Sequence, residues 1–417
     1  MTIQNLAGIE EAYKLIEKAK EASRKMALFS QQEIDKIIEK MATKGFEASE
    51  YLARMAAGET GMGRVESKIA KNRFAASRIY EYIKNMKTAG IINHDSEKHI
   101  YEIAEPVGLI AAIIPTTNPT STAIFKSLIS IKARNCAIFA PHPKAIKCTA
   151  ETVKIMREAA ISAGAPDGCL ECITNVSLEV TQELMTHKNV DLILATGGPG
   201  LVEAAYKSGK PAIGVGAGNS PVYIDRSADV AFAVRCVVES QTFDFGTVCS
   251  SEQSIIVDEP VKSKVIDEFK KLKAYFLSPE ETDKVSSFVI KNGKMNPQIV
   301  GQPAYRVAQL SGVQVPTDTT VLLAPLNGVG KDYPLSGEKL CPLLGFYVVN
   351  GWQDGCKRCV ELLEYEGMGH SLGVHCTNPD IIMEFGLQKK VSRIIVNAPT
   401  SQGAVGIATN LVPSLTL

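Results

Sequence analysis

The chain has 417 residues, 45% apolar and 22% charged, with 45 Lys and Arg against 45 Asp and Glu. That length exceeds one ordinary core and predicts two or three domains, while the balanced charge argues against a nucleic-acid binder or a binder of anionic membranes. No apolar run reaches the roughly 18 residues of a spanning helix, and the N-terminus lacks the order of a signal peptide, so the cytoplasm is the expected compartment.

Residues 1–87 read as helices. Ser30 and Glu33 form a capping-box pattern, in which hydroxyl and carboxylate satisfy amide donors at a helix start. Ile34, Ile37, Ile38 and Met41 then trace one apolar stripe. Gly58, Gly61 and Gly63 break the pattern before a charged helix at 65–87. Two apolar runs flanking polar residues 93–98 predict an exposed β-ribbon at 90–106, whose unsatisfied edge suits pairing with another subunit. From 107 the chain alternates. Strands are predicted at 107–115, 136–140, 169–173, 191–195 and 212–215, and helices at 118–134, 149–162, 178–186 and 200–208. These are βαβ units, so a parallel sheet is expected, with ligands beyond the C-terminal strand ends. A mixed region follows, with strands at 254–257, 320–323, 345–349, 372–375 and 393–396.

Four patterns carry chemistry. Cys249 lies just after a glycine turn in Gln241-Thr-Phe-Asp-Phe-Gly-Thr-Val-Cys-Ser-Ser-Glu-Gln253, among small and polar residues, which suits a nucleophile better than core packing. Gly197-Gly198-Pro199-Gly200 follows a strand and opens a helix, whose free amides can hold a dinucleotide phosphate; a plain tight turn is the alternative. The cluster from Gly214 to Gly218, with Gly216 at its centre, imitates a nucleotide fingerprint but leads into a strand at 221–224. It fails that context test and instead suits close backbone approach to a site. Asn118, at a strand end, can stabilise an oxyanion or cap the next helix, and spacing alone favours the cap.

Ten cysteines are too few for a disulfide scaffold. The pair Cys169 and Cys172 reads as a strand with thiols on opposite faces, and Cys356 and Cys359 fall in a helix at 354–363. Neither pair has zinc-ribbon spacing, and His370 with His375 has no third ligand, so no metal site is expected.

Several runs together resemble one family. They are Ile114-Pro-Thr-Thr-Asn-Pro-Thr-Ser-Thr-Ala123, Ala195-Thr-Gly-Gly-Pro-Gly200, Lys207-Ser-Gly-Lys-Pro-Ala-Ile-Gly-Val-Gly-Ala-Gly-Asn219, Glu252-Gln-Ser254, Glu338-Lys-Leu-Cys-Pro342 and Pro413-Ser-Leu-Thr-Leu417. They resemble the CoA-acylating aldehyde dehydrogenases, most closely the aldehyde dehydrogenase half of bifunctional aldehyde–alcohol dehydrogenases. The resemblance implies an aldehyde dehydrogenase-like α/β fold: a Rossmann-type parallel-sheet cofactor domain, an α/β catalytic domain and a protruding β-ribbon. The domains are then expected at 1–240 for the cofactor, with the ribbon at 90–106, at 241–395 for catalysis, and at 396–417 returning to the cofactor domain or ribbon.

The resemblance also implies roles. Cys249 matches the nucleophile, and Asn118 matches the residue sharing the oxyanion hole with the cysteine's own N–H, which overrides the cap reading. Gly197, Gly198 and Gly200 match the turn over the cofactor pyrophosphate, and Pro141, His142 and Pro143 the segment near the adenosine ribose. Glu338 matches the carboxylate that holds the nicotinamide ribose. Thr117 and Gly216 are expected to line the cofactor site. His370, of a Gly-His pair near the active site, is expected to polarise or position acyl-CoA. The cofactor is NAD or NADP, coenzyme A is co-substrate, and a homo-oligomer is expected. The hydrolytic branch carries a Glu where Val215 stands, and Val cannot activate water. The implied reaction converts a short aldehyde, acetaldehyde by default, to its acyl-CoA; sulfoacetaldehyde, succinate semialdehyde and an inactive oligomeric scaffold are the alternatives. Two departures stand out: Phe245 replaces the family's Asn, and the sequence ends at Leu417, where the family continues with a Gly-rich segment and tail. With no iron-dependent alcohol dehydrogenase half, no aldehyde-to-alcohol step is expected.

Overall fold

The computed structural model describes residues 3–415 and divides them into two compact units. The first unit takes 3–61 and 65–216, with Pro413, Ser414 and Leu415. It opens with four helices, α1 (Ile3–Met26), α2 (Gln31–Glu47), α3 (Ser49–Thr60) and α4 (Val65–Ile83). At the start of α2 the Ser30 amide donates to the Glu33 carboxylate at 2.8 Å and the Glu33 amide to the Ser30 hydroxyl at 3.4 Å, closing the capping box. The stripe Ile34, Ile37, Ile38 and Met41 is wholly buried. The strands β1 (Gly90–Asp95) and β2 (Ile100–Ala104) then pair antiparallel in a two-stranded hairpin with exposed apolar side chains, Ile103 and Tyr101 among them.

The rest of this unit alternates as the periodicity requires: β3 (Leu109–Ile114), α5 (Pro119–Lys132), β4 (Cys136–Pro141), α6 (Ile146–Ser162), β5 (Leu170–Cys172), α7 (Leu178–Thr186), β6 (Leu192–Thr196), α8 (Pro199–Lys207) and β7 (Ala212–Val215). The five strands lie in the order β5-β4-β3-β6-β7, all parallel. Every residue of β3 and β4 is buried, as strands covered on both faces require.

The second unit takes Met62–Arg64 and Ala217–Val412. Its elements are β8 (Ser220–Ile224), α9 (Val230–Thr242), β9 (Glu252–Asp258), α10 (Lys262–Lys271), β10 (Tyr275–Phe276), α11 (Pro279–Val289), β11 (Ile290–Lys291), β12 (Lys294–Met295), α12 (Ala304–Leu310), β13 (Leu322–Pro325), β14 (Leu343–Val349), α13 (Gly351–Tyr365), β15 (Gly369–His375), α14 (Pro379–Gln388), β16 (Val391–Val396) and α15 (Thr400–Ala404). Seven strands form one parallel sheet in the order β10-β13-β14-β9-β8-β15-β16, and the short pair β11 and β12 is antiparallel. Alternate residues feed two cores. Val222, Ile224 and Val257 pack with Val234 of α9 and Phe269 of α10, while Tyr223 and Ile256 pack with Leu362 of α13 and Phe385 of α14.

These units are drawn differently from the expected domains. The division falls after Gly216 rather than at 240, because β8 pairs with β9 and β15 of the second sheet. The segment after residue 396 also stays with the second unit as far as Val412, since α15 is bonded to α9 through Ser401 and Ser240. Sequence patterning shows that a strand exists but not which sheet will take it.

Candidate active site

In the first unit the strand order reverses between β3 and β6, and open α/β sheets bind ligands at the C-terminal ends flanking such a point. Buried Lys126, from α5, bridges the two strands by donating to the carbonyls of Ile113 and Leu194, both at 2.8 Å, and burial pushes its ammonium down to about 7. Thr116 and Thr196, at the ends of β3 and β6, have buried hydroxyls with no hydrogen-bond partner among the described residues. Gly198 stands at the cap of α8 with no side-chain bond to the helix amides. A Cβ at Gly198 or Gly200 would meet nothing within 4 Å, whereas one at Gly197 would press on Leu201 at 2.5 Å. A helix start behind an open glycine surface suits a phosphate, and the two unpartnered hydroxyls suit a polar ligand, so these residues fit a dinucleotide. Pro141 ends β4, and the exposed His142 donates its amide to Ile114 at 3.1 Å, placing His142 and Pro143 beside the end of β3. Half-buried Gly216 follows β7.

Asn118 occupies the cap position of α5, yet its side chain does not cap the helix. Its Nδ2 donates to Thr117 Oγ1 at 3.1 Å, and its Oδ1 accepts from the ammonium of Lys71. The neighbouring ammonium of Lys68 donates to the Thr117 carbonyl at 3.1 Å. Both lysines lie on α4 and are buried. Sequence reasoning misses them, because lysines in a charged helix read as its solvated face.

In the second unit, Cys249 sits half-exposed between α9 and β9, in a loop whose backbone is unusual. Asp244, Phe245 and Gly246 have φ of 51°, 51° and 70°, three successive left-handed residues. Such conformations cost non-glycine residues about 1–2 kcal/mol each and need outside support. Buried Asp244 provides part of it, accepting from the Arg64 amide and from the Thr247 hydroxyl, both at 2.7 Å. The Arg64 guanidinium also lies over the Phe245 ring, 5.5 Å from its centre. Downstream, Ser250 donates to the Ser401 carbonyl at 3.2 Å, and the Glu252 carboxyl accepts the Thr400 amide at 3.0 Å. Thr400, Ser401 and Ser240 carry no recognisable sequence signal; only the fold brings them under the loop.

Three further predicted residues gather around the Cys249 backbone. A Cβ added to Gly218 would fall on the carbonyl oxygen of Cys249 and lie 3.1 Å from Cδ2 of His370. The Gly218 amide donates to Glu338 at 2.8 Å. Loss of hydration pushes Glu338 up to about 8, with the Gly218 bond and Lys339 opposing and Glu366 adding repulsion. Buried His370 bonds Ser371 through Nδ1 at 3.0 Å, and its Nε2 has no partner among the described residues. Burial pushes it down to about 4, so its imidazole is neutral and can polarise by hydrogen bonding but not by charge. His375, five residues along the same strand, faces the other side of the sheet.

Glu252 is fully buried, and burial raises its carboxyl above the usual range. A folded-state value above the unfolded one gives stability that is present below the ordinary carboxylate range and lost as pH rises through the folded value. Glu252→Gln, which keeps the acceptor for Thr400 but cannot ionise, should therefore unfold at a higher temperature than wild type at pH 8, with the gap closing toward pH 4. A gap independent of pH in thermal melts would refute this.

The chain belongs to the aldehyde dehydrogenase family, whose profile matches residues 2–285. It is 44% identical over 422 residues to the bifunctional aldehyde-alcohol dehydrogenase AdhE of Escherichia coli K12, an alignment covering 100% of this chain and 47% of that protein. The chain thus spans about half the length of the curated relatives it matches first. The acetylating aldehyde dehydrogenase of Geobacillus thermoglucosidasius superposes with a TM-score of 0.98 at 50% identity, covering 100% of this chain and 92% of that one. A propionaldehyde dehydrogenase of Rhodopseudomonas palustris, solved with bound CoA and an acylated cysteine, superposes with a TM-score of 0.86 at 26% identity, covering 97% and 92%.

Proposed function

We propose that this chain is a CoA-acylating aldehyde dehydrogenase that turns a short aldehyde, acetaldehyde first, with CoA and NAD(P)+ into acyl-CoA and NAD(P)H. The thiolate of Cys249 attacks the aldehyde carbon, and the resulting oxyanion is held by the Cys249 amide and Asn118. A bound nicotinamide supplies the hydride acceptor. Cys249 is left carrying an acyl thioester, which the CoA thiol attacks; the acyl group moves to CoA sulfur and Cys249 departs as thiolate. Gly197, Gly198 and Gly200 hold the pyrophosphate, with Thr117, Gly216 and Pro141–His142–Pro143 nearby. Glu338 holds the nicotinamide ribose, exchanging its bond to Gly218 for the ribose hydroxyls. Neutral His370 positions the acyl group.

The observation that carries CoA rather than water as acceptor is Val215. This buried valine ends β7, where hydrolytic relatives carry their Glu base. A thiol acceptor ionises nearer neutral pH than water and needs less help from a base. Among the described residues no helix is long and apolar enough to cross a membrane, and the proposed setting is the cytoplasm. The exposed hairpin β1–β2 is proposed to pair with another subunit.

The test is an assay with acetaldehyde and either NAD or NADP, with and without CoA, followed by mass detection of acetyl-CoA. Reduced cofactor should form only when CoA is present. An equal rate without CoA would make the enzyme hydrolytic instead.

A further inference from the structure

The amide of Asn118 presents two chemically opposite atoms, an acceptor oxygen and a donor nitrogen, and a half-turn about the last side-chain bond exchanges them. Only one of the two orientations can stabilise an oxyanion. Something must hold the amide in it, and the structure shows what does. The ammonium of Lys71 is a donor without any acceptor capacity, and it meets Oδ1. The Thr117 hydroxyl accepts from Nδ2 at 3.1 Å, so both contacts fix the same orientation of the amide. Lys71 is buried, with 4% of its surface exposed, and sits three residues from Lys68, whose ammonium ties down the Thr117 carbonyl at 3.1 Å. One helix face thus supplies two cations to a two-residue turn: one fixes its backbone and the other its amide. Lys68, Lys71, Asn118 and Thr120 also line one small pocket.

We infer that Lys71 is a positioning residue of the reaction: it holds the side-chain oxygen of Asn118 and thereby commits the amide nitrogen to the oxyanion of the reacting aldehyde. The cation also polarises the amide, so that Nδ2 becomes a stronger donor as negative charge develops. An uncommitted amide would present its oxygen part of the time, placing one acceptor against another. The inference rests on the proposed oxyanion role of Asn118.

The experiment compares Lys71→Met, Lys71→Arg, Asn118→Ala and the double variant Lys71→Met/Asn118→Ala in the CoA-dependent assay. Removal of one oxyanion donor lowers kcat about 10²–10³-fold in well-studied enzymes. Lys71→Met is expected to lower kcat at least about 10-fold, with the aldehyde KM moving less than about twofold, because only transition-state stabilisation is lost. Lys71→Arg, again a pure donor, should recover part of that loss. The double variant should be no slower than Asn118→Ala alone, since a positioning residue has nothing left to position. The rate at which iodoacetamide labels Cys249 should be unchanged in all four, which a general loosening of the fold would not leave so. If Asn118→Ala is slow while Lys71→Met matches wild type, the inference falls and the oxyanion reading stands. Additive losses in the double variant also overturn the inference. If Asn118→Ala is itself fully active, the oxyanion reading fails and the role of Lys71 fails with it.

Discussion

Cys249→Ala is expected to abolish reduced-cofactor formation, a fall of about 10⁴-fold or more, since losing a nucleophile removes the covalent route altogether. Its loop is braced by Asp244, Ser250 and Glu252, all of which the variant keeps, so it should fold and melt like wild type. Thiol labelling gives an independent reading. Eight of the ten cysteines are buried, and only Cys172 and Cys249 are half-exposed. Burial pushes the Cys172 thiol far up, which makes it a slow nucleophile. Iodoacetamide should therefore reach Cys249 first, and activity should fall in step with that one modification as followed by peptide mass spectrometry. Labelling that begins elsewhere, with turnover absent throughout, would favour an oligomeric scaffold over an enzyme.

The second large effect is expected at Gly218, a residue with no chemistry of its own. Gly218 is not among the residues with positive φ, so alanine suits its backbone and the objection is purely steric. The added carbon would overlap the Cys249 carbonyl oxygen, closer than such carbons approach in proteins, and stand 3.0 Å from the carbonyl carbon. One of the two backbones must move, and misplacement of a reacting group by about 1 Å costs about 10²-fold. Gly218→Ala should lower kcat/KM by about that factor or more while circular dichroism stays unchanged. Gly58→Ala serves as the comparison: it lies inside α3 with nothing within 4 Å, and alanine favours a helix there. Full turnover in Gly218→Ala would mean that this close approach does not set the nucleophile's position.

Much of this arrangement is legible in the chain's own letters. Apolar strands alternating with helices identify the first sheet almost element by element, because buried parallel strands leave continuous apolar runs. Cys249 can be read from its turn, and the glycines at 214–218 from their failure to open a helix. Three kinds of feature are not legible. Strands as short as β10, with two residues, leave no period to detect. The allegiance of β8 to the second sheet depends on partners about 30 and 150 residues away, which no local pattern encodes. The buried cations Lys68, Lys71 and Lys126 look like surface residues in a string of letters, and only tertiary packing turns them inward. Asn118 combines both situations. Its position in the chain says helix cap, family likeness says oxyanion donor, and its hydrogen bonds show a side chain withheld from the cap.

The left-handed run at 244–246 has a consequence for anyone who wishes to change the substrate. Asparagine, which the family usually carries at 245, is among the residues most tolerant of positive φ; phenylalanine is not. Here the ring is held instead by the guanidinium of Arg64, whose amide also holds Asp244. Position 245 thus joins a strained backbone to a ring contact with Arg64, and under the proposed function its loop also carries the nucleophile. Substitutions at Phe245 alone would change the backbone strain and the Arg64 contact at once, so substitutions aimed at this loop are best varied together with Arg64.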